Sequence, residues 1–106
     1  MAKDKYGLKF TSRASEDIDQ ILYYISEQLY APGTADNLLD LIENSLILLQ
    51  KYPYSGSLVL DEPLRIRGYR KLMIGNYLAF YLIDEQEKQV VIMRILYSAR
   101  GYKDLL

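Results

Sequence analysis

The spacing of apolar residues changes period along the chain and divides it into elements. In "YGLKFT" (residues 6–11) Tyr6, Leu8 and Phe10 alternate with Gly7, Lys9 and Thr11. That period of two predicts a strand with one buried face. Ser12 or Ser15 then offers a helix N-cap, with Glu16 and Asp17 placed for the positive end of the helix dipole. Ala14, Ile18, Ile21, Leu22, Ile25 and Leu29 form one stripe at spacings of three and four, and "APG" at 31–33 ends that helix. Thr34 caps a second helix reaching about Lys51, with Ala35, Leu38, Leu39, Ile42, Leu46 and Leu49 as its stripe. Leu41, Ile47 and Leu48 widen that stripe beyond one core contact. The short connector predicts an antiparallel helical hairpin.

Residues 52–68 are rich in Pro, Gly and Ser and read mostly as loop. Three strands follow at 69–74, 77–83 and 90–97. Gly75-Asn76 suits a two-residue hairpin turn, and "DEQEKQ" makes the second connection. "YLAFYLI" is apolar on both faces, which places it centrally in a sheet covered on each side. The expected fold is α+β, in the order β-α-α-β-β-β, an antiparallel-rich sheet with the helical hairpin packed on one face.

The 106 residues make one domain, 1–106. With 50% hydrophobic and 25% charged residues, the composition is that of a globular protein. Cysteine and histidine are both absent, so no disulfide, thiolate nucleophile or His/Cys metal site is proposed. No cofactor and no metal are expected. The longest apolar stretch is too short to span a membrane, and the first ten residues lack a secretory pattern. A cytoplasmic protein without a membrane partner is the expectation.

The net charge of −1 conceals segregation. Residues 1–13 hold four basic groups and one acid, 14–62 nine acids against Lys51 alone, and 63–106 eight basic groups and four acids. An acidic middle between basic ends fits either an anionic partner for one layer or two surfaces that attract across the fold.

Eleven tyrosines stand out. Tyr69, Tyr77 and Tyr81 read as strand and core packing. Tyr97 and Tyr102 lie at or past the last strand and read as interface residues. Arg65, Arg67, Arg70 and Lys71 form a basic run, and Arg94 and Arg100 flank the last strand. Antiparallel pairing could bring Arg70 and Arg94 onto one surface. Arg94 shares strand parity with Val90, Ile92 and Leu96, so either an ion pair with an acid of the hairpin or an anion site accounts for it. Glu62, in "LDEPLR", is the acid beside this run that could serve as a general base. No phosphate-binding glycine loop or hydrolase motif is present.

The last forty residues carry a resemblance. Arg70 before the apolar strand, Asn76-Tyr77, Phe80-Tyr81 and "RILY" (94–97) followed by Arg100 resemble the C-terminal half of the RelE/ParE superfamily. These are the toxins of bacterial type II toxin–antitoxin pairs. The first strand and the Ala14–Ile18–Ile21 helix fit as well.

The resemblance implies a growth-arresting protein held inactive in a hetero-oligomer with a cognate antitoxin. Such partners wrap the toxin with an extended, partly disordered segment. The wide stripe at Leu41, Ile47 and Leu48 and the basic surface of Arg65, Arg67, Lys71, Tyr102 and Lys103 would suit an antitoxin or a target. Two mechanisms occur in the superfamily. RelE-like members cut mRNA on the ribosome. That version implies phosphate and transition-state contacts from Arg70, Arg94 and Arg100, with Tyr97 on the nucleotide and Glu62 as a base. ParE-like members poison DNA gyrase without such a set. Nuclease relatives commonly place Arg where Leu78 stands, and an alkyl group cannot stabilise a phosphate. ParE-like members resemble this sequence in carrying an aliphatic residue at position 78, so the resemblance leans to the gyrase poison; against that, many of them place His where Tyr97 stands. The alternatives are a metal-independent endoribonuclease and an inactive binding module on the same fold.

Overall fold

The computed structural model describes residues 5–106. The elements are β1 (Gly7–Phe10), α1 (Ser12–Tyr23) running on into a π-helical turn (Tyr24–Gln28), α2 (Pro32–Lys51), a 3-10 turn (Pro53–Ser55), β2 (Ser57–Leu58), α3 (Glu62–Ile66), β3 (Arg70–Ile74), β4 (Tyr77–Asp84) and β5 (Gln89–Tyr97). They build one five-stranded sheet in the order β1-β5-β4-β3-β2. β1 is parallel to β5, and every other pairing is antiparallel. The α+β architecture and the central place of "YLAFYLI" hold. No helix among the described residues is long and apolar enough to cross a membrane.

Local chemistry moves several expected boundaries. The cap of α1 is Thr11, not Ser12 or Ser15: its hydroxyl accepts from Ala14 N at 3.0 Å. The helix therefore starts at Ser12, and Glu16 and Asp17 lie beyond its first turn. Pro32 opens α2 rather than closing α1, because proline's missing N–H and fixed φ suit a first helical turn. Thr34 is inside that helix. The chain reverses just before it, at Tyr30, whose φ is 54°. The π-helical turn rotates the end of α1, so Ile25 stays buried while Leu29 leaves the stripe and is exposed.

The segment expected to be loop contains β2 and α3. Asp61 caps α3 by accepting from Leu64 N at 3.4 Å, with Glu62 and Pro63 as its first residues. At the β3–β4 turn only Gly75 takes a left-handed φ, of 59°.

Two apolar clusters cover the two faces of the sheet. On one, Ala14, Ile42, Leu46 and Leu49 of the helical hairpin pack on Ile74, Ala79, Tyr81, Val90, Ile92 and Ile95. On the other, Val59, Leu64, Tyr69, Phe80 and Leu96 form a second cluster, against which Tyr102, Leu105 and Leu106 fold back. The Tyr102 ring stacks on Phe80 at 4.9 Å. The tail is thus a second layer on the sheet.

Tyr81 ties the connector to the hairpin-side core. Its buried hydroxyl donates to Pro53 O at 2.7 Å and accepts from Gly56 N at 3.1 Å. A Cβ on Gly56 would fall 2.5 Å from both the Tyr81 hydroxyl and Lys71 O. Gly56→Ala should therefore lower the free energy of unfolding by about 1–3 kcal/mol, read from urea denaturation. The effect comes from the displaced backbone of β3.

Candidate functional site

A β-bulge in the last strand decides where the chemistry lies. Tyr81 pairs with Ile92 but Phe80 pairs with Arg94, so Met93 is an extra residue in β5. The bulge shifts the side-chain parity beyond it. Arg94 and Leu96 therefore do not share a face with Val90 and Ile92, contrary to the expected alternation. Arg94 sits opposite Phe80.

Its guanidinium turns to α1. Arg94 Nε and Nη2 donate to Asp17 Oδ2 and Oδ1 at 2.7 and 2.9 Å, a bidentate pair with side chains only 12% and 10% exposed. Asp17 Oδ2 also accepts from Ile95 N at 3.0 Å, and Arg94 Nη1 donates to Leu105 O at 2.9 Å. The hydrogen-bonded Asp17 carboxylate raises the pKa of Arg94, against the effect of burial. Thr11 completes the joint, donating from its hydroxyl to Met93 O at 2.9 Å. Of the two readings open for Arg94, the ion pair with a hairpin acid is the one observed.

Arg70 is elsewhere. It pairs with Tyr81, on the helix-covered face, so β3 and β5 do not bring Arg70 and Arg94 onto one surface. Its Nη2 donates to Gly56 O at 2.6 Å and Tyr54 O at 3.3 Å, and the guanidinium lies over the Tyr54 ring at 5.2 Å. Arg67 lies over Tyr69 at 5.3 Å, and Lys71 pairs with Phe80 on the opposite face. Arg65 is exposed at the end of α3. Lys103 Nζ is 3.8 Å from Asp61 Oδ1. Glu62 is exposed at the start of α3 and, among the described residues, bonds to none of Arg70, Arg94, Tyr97 or Arg100.

What the fold does bring together is Tyr97 and Arg100. They line an open groove of about 430 Å³ with Asp17, Gln20, Ile21 and Tyr24 of the first helix and Tyr77 of β4. Ile95 and Leu96 complete its lining. Tyr77 and Tyr97 are paired across β4 and β5, with their rings edge to face at 5.8 Å. The chain then turns, with Ser98 N donating to Asn76 O at 2.9 Å and Arg100 N to Tyr97 O at 3.0 Å. That turn swings Arg100 to the rim. Burial, and then the neighbouring Tyr97 and Tyr24 phenols, raise the pKa of Tyr77.

Gln20 and Tyr24 were not singled out in the sequence, and Asp17 was read only as a complement to the helix dipole. Their spacing was a usable signal, since 17, 20 and 24 run along one helical stripe beside the core stripe. Tyr77, expected as packing, is only half-buried and lines the groove. Tyr102 is engaged with Phe80. Leu41, Ile47 and Leu48 are exposed on α2, as the wide stripe implied, and Leu41 lies close to Gly75.

A separate polar cluster joins three connections. Glu85 accepts from Tyr6 Oη at 2.7 Å, from Tyr54 Oη, and from Lys88 Nζ at 3.1 Å. The Tyr54 hydroxyl, then Tyr6 and Lys88, hold its pKa down at about 2.

Residues 8–102 match the family model described as the ParE toxin of the type II toxin–antitoxin system parDE. The chain belongs to that family, within the RelE/ParE superfamily. A solved chain from the chromosomal ParDE toxin–antitoxin system of P. aeruginosa is 24% identical, with a TM-score of 0.70, covering 89% of this chain and 97% of that one. A chain of the RelBE2 toxin–antitoxin complex from Mycobacterium tuberculosis is 22% identical, with a TM-score of 0.63, covering 88% and 98%. These two share the fold. No curated protein matches the chain.

Asp17→Ala leaves a buried guanidinium unpaired and should cost about 3–5 kcal/mol in chemical denaturation. Replacing both partners, Asp17→Leu with Arg94→Met, should recover most of that loss. The Glu85 carboxylate has a folded pKa below its ordinary value of 4.5. Its contribution is therefore complete above about pH 4.5 and is lost as pH falls toward about 2. Over that window the thermal midpoint of the wild type should fall more steeply than that of Glu85→Gln.

Proposed function

We propose that this member of the ParE family arrests bacterial growth by poisoning DNA gyrase rather than by cutting mRNA, and that a cognate antitoxin restrains it in the cytoplasm. The observation that carries this reading is the fate of the arginines. A ribosome-dependent nuclease needs several cations converging on one scissile phosphate. Here Arg94 is locked to Asp17 and Leu105, and Arg70 is bound to the carbonyls of Tyr54 and Gly56 on the opposite face. Position 78, where nuclease relatives commonly place Arg, holds a leucine that packs into the second apolar cluster. Tyr102 and Leu105 lie over that same sheet face. Residues 1–106 act in this reading as one toxin domain without a metal or other cofactor.

Family membership supports the antitoxin partner, as does the exposure of Leu41, Ile47 and Leu48 on α2. These three residues offer apolar anchors to a segment that folds as it binds. Arg65, exposed at the end of α3, offers the same partner a cation, while Arg67 and Lys103 would meet it from beside Tyr69 and Asp61.

Purified protein incubated with gyrase, ATP and supercoiled plasmid should yield linear DNA in proportion to dose after detergent and protease treatment. Unchanged supercoiling activity with no linear product would reject the gyrase reading. The antitoxin, added in equimolar amount, should abolish the linear product.

A further inference from the structure

The groove between α1 and the ends of β4 and β5, about 430 Å³, is a surface feature that the core leaves unused. Three tyrosines line it, and Tyr24 and Tyr97 are each more than half exposed. Aromatic rings presented on rigid elements are the usual anchors of protein interfaces, because a large area is buried for little loss of rotamer freedom. The rigidity here has a visible source. Asp17, at one end of the groove, is held by Arg94 and by Ile95 N, so the helix cannot slide along β5. The π-helical turn begins at Tyr24 itself, a feature that often marks functional segments.

The electrostatics select the occupant. Arg100, at the rim, forms no ion pair among the described residues, whereas Arg94 and Lys103 do. A second hollow, lined by Arg100 through Leu105, continues from it on the other side. A carboxylate entering the groove would meet Arg100 first. A nucleic-acid strand fits less well, since it needs several cations along its backbone and Arg100 is the one cation lining this groove. The α1 surface beside it carries Glu16 and Asp19, both exposed.

We propose that this groove is where the toxin docks on its protein target. The occupant is a target segment that inserts an apolar or aromatic side chain between Tyr24, Tyr77 and Tyr97 and sets a neighbouring carboxylate on Arg100. The inference rests on the toxin reading above, and takes gyrase as the target. The antitoxin anchors at Leu41, Ile47 and Leu48 lie on α2, so docking and restraint use different residues.

The test induces wild type, Tyr24→Ala, Arg100→Glu and Arg100→Lys in bacteria and scores growth arrest, which does not depend on the target's identity. Each variant is also co-expressed with the antitoxin from the neighbouring gene, and the complex is purified to verify the fold. Binding to purified gyrase is then measured directly. Tyr24→Ala and Arg100→Glu should lose growth arrest and at least about tenfold in gyrase affinity while still forming the antitoxin complex. Arg100→Lys should retain arrest, because the charge is kept. Full arrest by Arg100→Glu and Tyr24→Ala would overturn the proposal. So would loss of antitoxin capture by folded variants, which would give the groove to the antitoxin. Binding of a labelled single-stranded RNA that Arg100→Glu abolishes would also overturn it. If wild type leaves gyrase untouched yet arrest still depends on Tyr24 and Arg100, the gyrase reading fails and the docking site stands.

Discussion

The bidentate pair between Asp17 and Arg94 is the contact on which the rest of this structure depends. It forms where β5 bulges, and the bulge exists because one extra residue, Met93, stands between Ile92 and Arg94, whose partners Tyr81 and Phe80 are consecutive. One carboxylate then serves three donors: two guanidinium nitrogens and the amide of Ile95. Three elements meet there. Helix α1 is fixed along β5, the strand's twist and register are set, and the tail is tethered through Leu105 O. A buried pair of this kind contributes little net stability compared with apolar packing of the same volume. Its consequence is positional. It fixes where α1 ends, and so where Tyr24 faces Tyr77 and Tyr97.

The same joint explains why the sheet carries a second layer. Once Arg94 reaches back to the tail, Tyr102 can stack on Phe80 and Leu105 and Leu106 can close over the face opposite the hairpin. A sheet of five strands has two faces to cover, and two helices cover only one. The short helix α3, through Leu64, and the tail supply the remaining cover. The charge segregation of the chain maps onto this layering. The acidic middle of the sequence is mostly the helical hairpin, and the basic third is mostly the sheet and tail.

The sequence made some of this legible and hid the rest for identifiable reasons. Period-two and helical stripes located β1, α1, α2 and β3 to β5, because each buries one face and the pattern records that burial. "DEP" at 61–63 held a capping signature for α3 that the surrounding prolines and glycines masked. The bulge was invisible: alternation is counted along a strand, and one inserted residue moves Arg94 to the other face without changing composition. For that reason the arginines looked as though they could converge, when in fact they are apart. Of the site residues, Tyr97 and Arg100 stood out by lying past the strand's apolar run. Asp17, Gln20 and Tyr24 did not, since a polar stripe on an amphipathic helix ordinarily faces solvent.

The proposed function makes one claim central: that this protein arrests growth without ribonuclease chemistry. The most direct measurement follows mRNA on ribosomes paused with a chosen codon in the A site, with purified protein added and the message mapped by primer extension. The message should stay intact at concentrations of protein that bind the antitoxin stoichiometrically. Cleavage within the A-site codon that disappears on Arg94→Ala, with the fold preserved, would contradict it.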